Sequence, residues 1–215
     1  MAHGDLPVPQ IYQLRAALRG ISPLIWRRLL VRSDSSLAQL HETLQVAFGW
    51  EDVHLNRFQI HGRDYGVYRD GGPLFRDASK VLLKDLKLRR SERFIYEYDF
   101  GDDWIHDIRL EATLAVDTLK AYPVCVAGQR AAPPEDCGGP SAFMEKRWQY
   151  VAIGSGESQE KWDGLIDEID EEDWEIMSQY HPDRFDRRTI NRALCTLASG
   201  SYAGALHEIH HSASH

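Results

Sequence analysis

The stretch of sequence that decides the fold is RFIYEYDFGDDWIHDIRLEA, residues 93–112. Apolar and polar side chains alternate from Phe94 to Phe100, and they alternate again from Trp104 to Leu110. A period of two residues is typical of a β-strand with one face turned to the core. The stretch therefore predicts two strands joined by a short loop.

The register of this hairpin follows from its two apolar faces. They fall on the same side of the sheet if Phe100 pairs with Trp104. That pairing predicts a three-residue loop, Gly101–Asp103, which is a common hairpin length. It also places His106 opposite Tyr98 on the apolar side.

Three further strands are predicted before the hairpin from short runs of alternating or β-branched residues: 10–19, 24–32 and 54–61. In the second strand Arg27 and Arg28 are adjacent, so they must point to opposite faces of the sheet. One of them is therefore expected to lie over apolar surface or to find a partner.

One helix is predicted between these strands, at residues 35–48. Ser36 and Gln39 form a capping-box signal, and Gly49 supplies the C-terminal stop. Leu40 and Leu44 belong to an apolar face at helical spacing, so we expect both to be buried against the sheet.

The last third of the chain is predicted to be helical, at 141–152, 158–169, 171–179 and 186–198. The whole is predicted to be an α+β fold, with a mostly antiparallel sheet of about five strands, one covering helix and a helical C-terminal third. Residues 1–198 are expected to form a single domain, strand-rich over 10–126 and helical over 141–198. Residues 199–215 are expected to be a disordered tail.

Composition limits the class of protein. The chain has 215 residues and a net charge of −8, and it contains no apolar run approaching the length needed to span a membrane. Residues 1–98 carry 15 Lys+Arg and 11 Asp+Glu, whereas residues 99–215 carry 10 and 22. Binding to nucleic acid would therefore need the arginines of the first half to share one face.

Cysteine content and the N-terminus indicate the compartment. The three cysteines, Cys125, Cys137 and Cys195, are too few for a disulfide framework, so all three thiols are expected to be free. Met1–Asp5 has neither the basic nor the apolar part of a secretory signal. A cytoplasmic protein is the resulting expectation.

Several motifs occur in an order that resembles a known family. They are ISPLIWRR at 21–28, LAQLH at 37–41, FGWED at 48–52 with His54, YEYDFGDDW at 96–104 with His106, PPEDCGG at 133–139, and DRFD at 183–186 with Asn191. Over about residues 10–195 the chain resembles the plasmid pRiA4b ORF-3-like family, whose members are often labelled passenger proteins of an insertion element.

The resemblance implies an α+β fold and a link to plasmids and mobile elements, but it implies no settled biochemical activity. The passenger label borrows the name of a resolvase. A serine recombinase needs a nucleophilic serine among arginines that stabilise phosphoryl charge. Ser33, Ser35 and Ser36 instead fit a turn and a helix cap, so resolvase chemistry is not supported.

A first candidate patch joins the hairpin to the proline-rich loop at 122–140. It comprises Asp99, Asp102, Asp103 and His106 of the hairpin with flanking Tyr98 and Trp104, and Glu135, Asp136 and Cys137 of the loop. Carboxylates with an imidazole can hold a divalent cation or act as an acid–base pair. The structural alternative is that the aspartates are turn residues, that His106 lies in the core and that Glu135 and Asp136 cap a helix. Asp99 is expected on the opposite strand face from His106.

A second candidate patch combines Trp26, Arg27, Arg28, Trp50 and His54. Aromatic side chains beside arginines can bind nucleic acid or an acidic peptide. The alternative is a buried arginine paired with a carboxylate, for which the acidic run at 167–175 is the available internal partner.

Two hypotheses remain after these patterns are weighed. The first is a non-enzymatic accessory module that binds an unknown protein or nucleic-acid partner in the groove between the hairpin and the proline-rich loop, with no cofactor. The alternative is a metal-dependent hydrolase or nuclease that uses a divalent ion on the carboxylate–His patch. Convergence of the carboxylates on one point favours the enzyme, and their dispersal favours the module. No membrane association is expected, and the oligomeric state is left open.

Overall fold

A computed structural model of the chain describes residues 9–66, 75–154, 177–178 and 180–211. These residues form eight strands: β1 (Gln10–Leu18), β2 (Trp26–Arg32), β3 (Asn56–Ile60), β4 (Arg63–Gly66), β5 (Arg76–Asp77), β6 (Arg93–Tyr98), β7 (Trp104–Ala115) and β8 (Val124–Gln129). They also form four helices: α1 (Leu37–Phe48), α2 (Gly139–Gly154), α3 (Arg187–Ala198) and α4 (Tyr202–His211). Two short 3-10 turns, Ala78–Lys80 and Leu83–Leu86, precede β6.

All eight strands belong to one sheet, in the order β5-β4-β3-β6-β7-β1-β2-β8. The β4–β5 pair is parallel, and the other neighbours are antiparallel. The fold class is thus α+β, but the predicted mostly antiparallel sheet of about five strands is wrong. The additional strands include β4 and β5, which are short and lie near the edge of the sheet. Strands this short are stabilised by pairing with a neighbouring strand, and they contain too few residues to show an alternating pattern in the sequence.

The hairpin forms, but with a different register. Tyr98 pairs with Trp104 and Tyr96 pairs with His106, so the loop is Asp99–Asp103 rather than three residues. Asp99 and Asp103 adopt left-handed backbone conformations, with φ of 56° and 55°. A shift of two residues leaves every side chain on its original face, so alternation cannot distinguish the two registers.

Helix α1 begins and covers the sheet as predicted. The Ser36 hydroxyl accepts from the Gln39 amide at 3.1 Å, and the Gln39 side chain accepts from the Ser36 amide at 2.9 Å. Gly49 ends the helix with φ of 79°, a conformation in which glycine has no Cβ to clash. Leu40 and Leu44 are each 1% exposed, which confirms the predicted apolar face.

The two faces of the sheet differ in burial. The covered face carries apolar side chains such as Leu14, Leu29, Phe58 and Ile108, all of which are buried. The opposite face carries alternating residues of intermediate exposure, including many arginines. One side of the central strands therefore builds the core, and the other side meets solvent.

The predicted helical C-terminal third is not borne out. Helices α2 and α3 occur near the predicted positions, but residues 180–186 are not helical. The helices predicted at 158–169 and 171–179 fall outside the described residues, apart from 177–178. Tyr202–His211, expected in a disordered tail, form helix α4 with Ala205 fully buried. The hydrophobic pattern of this helix is hard to detect in the sequence because Gly, Ala and His contribute little apolar surface.

Within the described part of the chain, every helix is too short or too polar to cross a lipid bilayer.

Candidate metal centre

Three loops meet at one end of the sheet. They are the α1–β3 loop (residues 49–55), the β6–β7 loop (99–103) and the proline-rich loop before α2 (130–138). The approach is close: a Cβ added to Gly139 would lie 2.2 Å from the Asp102 carbonyl oxygen, and the Gly138 amide donates to the Asp102 carboxylate at 3.1 Å. Only glycine permits backbone segments to approach this closely.

These loops bring together one histidine and two aspartates. His54 Nε2 lies 2.9 Å from Asp136 Oδ1 and 3.7 Å from Asp99 Oδ2. The three ligand-type atoms all lie within 4.8 Å of one another, and among the described residues this is the one group of its kind. One side chain comes from each of the three loops, so the group exists only in the folded chain.

The histidine nitrogen of this group is free to accept a metal. His54 Nε2 is buried, and although it lies near Asp136 it makes no hydrogen bond of acceptable geometry. A buried polar atom without a hydrogen bond is unusual, and a bound cation is one way to satisfy it. A cation between the imidazole and the two carboxylates would satisfy all three groups.

Unusual backbone conformations are concentrated in the same loops. Asp52, Asp99, Asp103 and Asp136 all have positive φ, between 55° and 60°. Aspartate tolerates this region better than most residues because its short side chain bonds the local backbone. Asp99 illustrates this, since its Oδ1 accepts from the Gly101 amide at 2.9 Å while Oδ2 faces His54.

The proline-rich loop is held in place by hydrogen bonds around Tyr98 and Glu135. The Tyr98 hydroxyl donates to Glu135 Oε1 at 2.5 Å, and Glu135 Oε2 accepts from the Glu51 amide at 2.6 Å. The Trp50 indole donates to the Pro133 carbonyl at 2.9 Å. These bonds fix the position of Asp136, the next residue after Glu135.

Burial shifts the titration of both members of the Tyr98–Glu135 pair. Desolvation is the largest cause of a raised pKa of the Glu135 carboxyl, and hydrogen bonds from Tyr98 and Glu51 oppose it. Desolvation also raises the pKa of the Tyr98 hydroxyl, and the bond to Glu135 adds to that effect. Tyr98 is therefore a neutral donor at physiological pH.

A buried polar network lies behind the three loops. His41 Nδ1 lies 2.7 Å from the Tyr96 hydroxyl, and His41 Nε2 lies 2.7 Å from Asp52 Oδ1. Gln45 donates to the same Tyr96 hydroxyl at 2.9 Å and accepts from the Asp52 amide at 3.1 Å. The network anchors the start of the α1–β3 loop to α1. Sequence reasoning did not find it, although a histidine on the buried face of α1 is a usable signal.

His106 does not belong to the metal cluster. It is completely buried, packs against the rings of Phe48, Trp50 and Tyr96, and has Nδ1 3.2 Å from the Trp104 carbonyl oxygen. Desolvation lowers the pKa of His106 to about 3, so the ring is neutral. His106 is a core residue.

The remaining members of the first predicted patch are separated. Asp102 binds the Gly138 amide, and Asp103 ends the hairpin loop, so both act as turn residues. Desolvation raises the pKa of the Cys137 thiol to about 12, so no thiolate is available there. Trp104 is fully buried. Of this patch, Asp99 and Asp136 join the cluster, with Tyr98 and Glu135 supporting it.

The second predicted patch is divided between the two faces of the sheet. Arg27 is buried and donates to the carbonyl oxygens of Ala47, Trp26 and Gln129 at 2.8, 2.9 and 3.1 Å. Desolvation lowers the pKa of its guanidinium to about 10. Arg28 lies on the solvent face and binds Glu111.

Trp26 lies beside Arg28, whereas the last two members of the second patch lie near the three loops. Trp50 is buried in the core, and His54 belongs to the metal cluster. The acidic run at 167–175, proposed as a partner for a buried arginine, lies outside the described residues.

Comparison with known proteins places the chain in a family. A family model described as plasmid pRiA4b ORF-3-like protein matches residues 10–189. The chain belongs to this family. The match includes all three residues of the cluster, and it confirms the resemblance that the motifs indicated.

Two similar proteins are described as uncharacterised or of unknown function. The uncharacterized protein y4hQ of Sinorhizobium fredii (strain NBRC 101917 / NGR234) is 36% identical over 143 residues, which are 64% of this chain and 72% of that protein. A crystal structure of a protein of unknown function, MM3350 from Methanosarcina mazei Go1, is 30% identical with a TM-score of 0.65. That match covers 84% of this chain and 97% of the other. The family is thus one of plasmid-associated proteins of unknown function.

Proposed function

We propose that this chain is a metal-dependent hydrolase that holds one divalent ion through His54, Asp99 and Asp136. The observation that carries the proposal is the convergence of His54 Nε2, Asp99 Oδ2 and Asp136 Oδ1 within 4.8 Å. Clustered carboxylates repel one another unless a cation lies between them, and here the nearest imidazole nitrogen has no hydrogen bond.

The chemistry of the three ligands indicates the kind of metal. Imidazole suits Zn²⁺ and Fe²⁺, whereas Mn²⁺, Ca²⁺ and Mg²⁺ prefer oxygen ligands. One nitrogen and two carboxylate oxygens therefore favour a transition-metal ion over Mg²⁺ or Ca²⁺.

The number and exposure of the ligands favour a catalytic site over a structural one. Structural zinc sites are closed by four protein ligands, whereas catalytic sites use three and keep a position for water. The Asp136 side chain is 70% exposed and that of His54 is 28% exposed, so the cluster faces solvent. A bound ion of this kind would supply an acidified water as the nucleophile.

The chain's own residues position this chemistry. The Tyr98 ring packs edge-on against the His54 imidazole, with centroids 5.8 Å apart, and limits its rotation. Glu135 holds the proline-rich loop, and burial raises the pKa of its carboxyl above the ordinary value.

The groove expected to receive a partner is filled by the protein itself. Trp50 bonds Pro133, Tyr98 bonds Glu135, and Gly138 bonds Asp102 across it. A partner-binding module would need another surface of the molecule.

Calorimetric titration of the chelator-treated chain with ZnCl₂ and MnCl₂ tests the metal site. We expect one ion per chain, with affinity lowered more than about tenfold by His54→Ala or Asp99→Asn. His61→Ala is the matched control, because His61 pairs with Glu92 outside the cluster, and it should bind like the wild type. Equal binding by the wild type and His54→Ala would overturn the site.

Hydrolysis is tested separately with bis(p-nitrophenyl) phosphate and p-nitrophenyl acetate as probes. The metal-loaded wild type should release p-nitrophenol from at least one probe, and His54→Ala should release it at the background rate. Metal binding without any difference in rate between the two proteins would reject the hydrolase and leave a metal-binding protein.

A further inference from the structure

The solvent face of the sheet carries four arginines in one row. Arg93 of β6 pairs with Arg109 of β7, Arg109 pairs with Arg15 of β1, and Arg15 pairs with Arg28 of β2. Paired residues on neighbouring strands share a face, and the strands lie about 4.8 Å apart, so the row spans about 14 Å. We call these four residues the arginine row.

Most of the row has no acidic partner. Arg28 binds Glu111 through two bonds, of 2.5 and 3.1 Å. Arg93, Arg109 and Arg15 form no ion pair within the part of the chain that the structure describes. Arg109 even has a buried Nε without a hydrogen bond. Like charges directly opposite each other on a sheet are destabilising, so the row calls for an anionic ligand.

The arginine row forms a strip of positive charge on the sheet, and the side chains on either side of the row limit the width of this strip. On one side the same face carries Ile95, Asp107, Ala17 and Trp26, again in register. On the other side Gln13 pairs with Leu30, and Gln13 donates to Glu111 at 2.9 Å. Asp107 and Glu111 therefore lie on either side of the row, and the strip is one residue wide.

Trp26 adds an aromatic surface to the end of the strip. The guanidinium carbons of Arg15 and Arg28 lie 5.1 and 5.2 Å from its ring centroid. The ring is half-buried and stays partly open to solvent. Nucleobases stack on aromatic rings and on arginine planes, whereas an acidic peptide would interact only through electrostatic attraction to the arginines.

We propose that the arginine row binds single-stranded nucleic acid, with one phosphodiester backbone along the row and bases stacked near Trp26. A duplex is a poor fit, because it has two backbones to neutralise and the strip offers a single row of arginines between Asp107 and Glu111. The surface does not include the three loops of the metal cluster, so the proposal does not rest on metal binding.

Fluorescence anisotropy with a labelled oligothymidylate of about 20 nucleotides tests the surface. Measured in EDTA on the full chain, binding should be saturable at low salt with a dissociation constant of about 1–100 μM. Four phosphate contacts predict a slope of log K against log salt of about −3. An absence of saturable binding at about 50 mM salt would overturn the proposal.

The double variant Arg15→Gln, Arg93→Gln removes two cations that have no described acidic partner. We expect at least a tenfold loss of affinity and a salt slope shallower by about 1.4. The control is Arg63→Gln on β4, because Arg63 pairs with Ile60 and so lies off the solvent face. Neither protein should melt below the wild-type temperature. An equal loss of affinity in the control would contradict the proposed surface.

Two competitors distinguish the class of partner. Unlabelled oligothymidylate should displace the probe, whereas a duplex of the same length and polyglutamate should displace it at least about tenfold less well. Stronger competition by the duplex or by polyglutamate would reject single-stranded nucleic acid as the ligand.

Discussion

The imidazole of His54 lies 2.9 Å from the carboxylate of Asp136, although strands β3 to β8 all lie between these residues in the chain. Contact between two such distant loops requires the sheet to be assembled first. The unfolded chain therefore has no preformed site, and any ion that binds the cluster must stabilise the folded state.

Metal should accordingly raise the thermal stability of the chain. At a free metal concentration of about 100 times the dissociation constant, stabilisation should reach about 2.7 kcal/mol. Differential scanning fluorimetry with ZnCl₂ or MnCl₂ should show a higher melting temperature that EDTA reverses. His54→Ala should abolish the increase and His61→Ala should keep it. An equal increase in both variants would indicate binding elsewhere.

The sequence predicted helix α1 and its buried residues well, because capping and helical spacing act over a few neighbouring positions. Ser36, Gln39 and Leu44 illustrate this. The prediction of the hairpin register was wrong because the register is not determined by such local signals. Alternation determines the face of Tyr98 and Trp104, but a two-residue shift preserves that face, so the choice depends on the loop conformation at Asp99 and Asp103.

The candidate site was only partly predictable. His54 and Asp136 were placed in two separate patches, because sequence patterns do not tell which loops meet in space. Asp99 was counted in the first patch, but strand alternation placed it on the opposite face from His106. In the structure Asp99 has left the strand, with φ of 56°, and faces His54 instead. His106 was included as a possible ligand because residue spacing does not show that aromatic rings bury its side chain.

Tyr98→Phe should weaken both the fold and the metal site. It removes the donor to Glu135 and leaves a half-buried carboxylate oxygen without its partner, at a cost of about 1–3 kcal/mol. Because Asp136 follows Glu135, metal affinity should also fall about tenfold. Urea denaturation and calorimetric titration measure the two effects. Tyr122→Phe, at a weaker and more exposed contact, is the control. Unchanged metal affinity would mean that Glu135 does not position Asp136.

Leu44→Ala should destabilise the protein by about 2–5 kcal/mol, because it opens a cavity between α1 and the sheet. Leu119→Ala removes the same atoms from a side chain that is 95% exposed, and it should cost less than about 0.5 kcal/mol. Urea denaturation of the two variants provides the comparison. A loss under about 1 kcal/mol for Leu44→Ala would show that α1 packs on the sheet through another face.

Protonation of His106 should contribute to acid unfolding. Burial lowers its pKa from 6.5 to about 3 in the folded chain, whereas the unfolded chain keeps the ordinary value. Below pH 6.5 the unfolded state therefore binds a proton that the folded state does not, so stability falls as the pH falls towards 3 and is unaffected by this group above 6.5. Between pH 7 and pH 5 the loss should be about 2 kcal/mol.

His106→Phe isolates this contribution, because the ring it introduces fits among Phe48, Trp50 and Tyr96 but cannot titrate. Urea denaturation at pH 7 and pH 5 should give a decrease in stability about 2 kcal/mol smaller in the variant than in the wild type. The variant loses the Trp104 contact at both pH values alike, so the difference in stability between the two pH values is the quantity to compare. His61→Ala should follow the wild type more closely, since His61 is exposed. A His106 ring that titrates near pH 6.5 by NMR in the folded protein would contradict its place in the core and reopen its candidacy as a ligand.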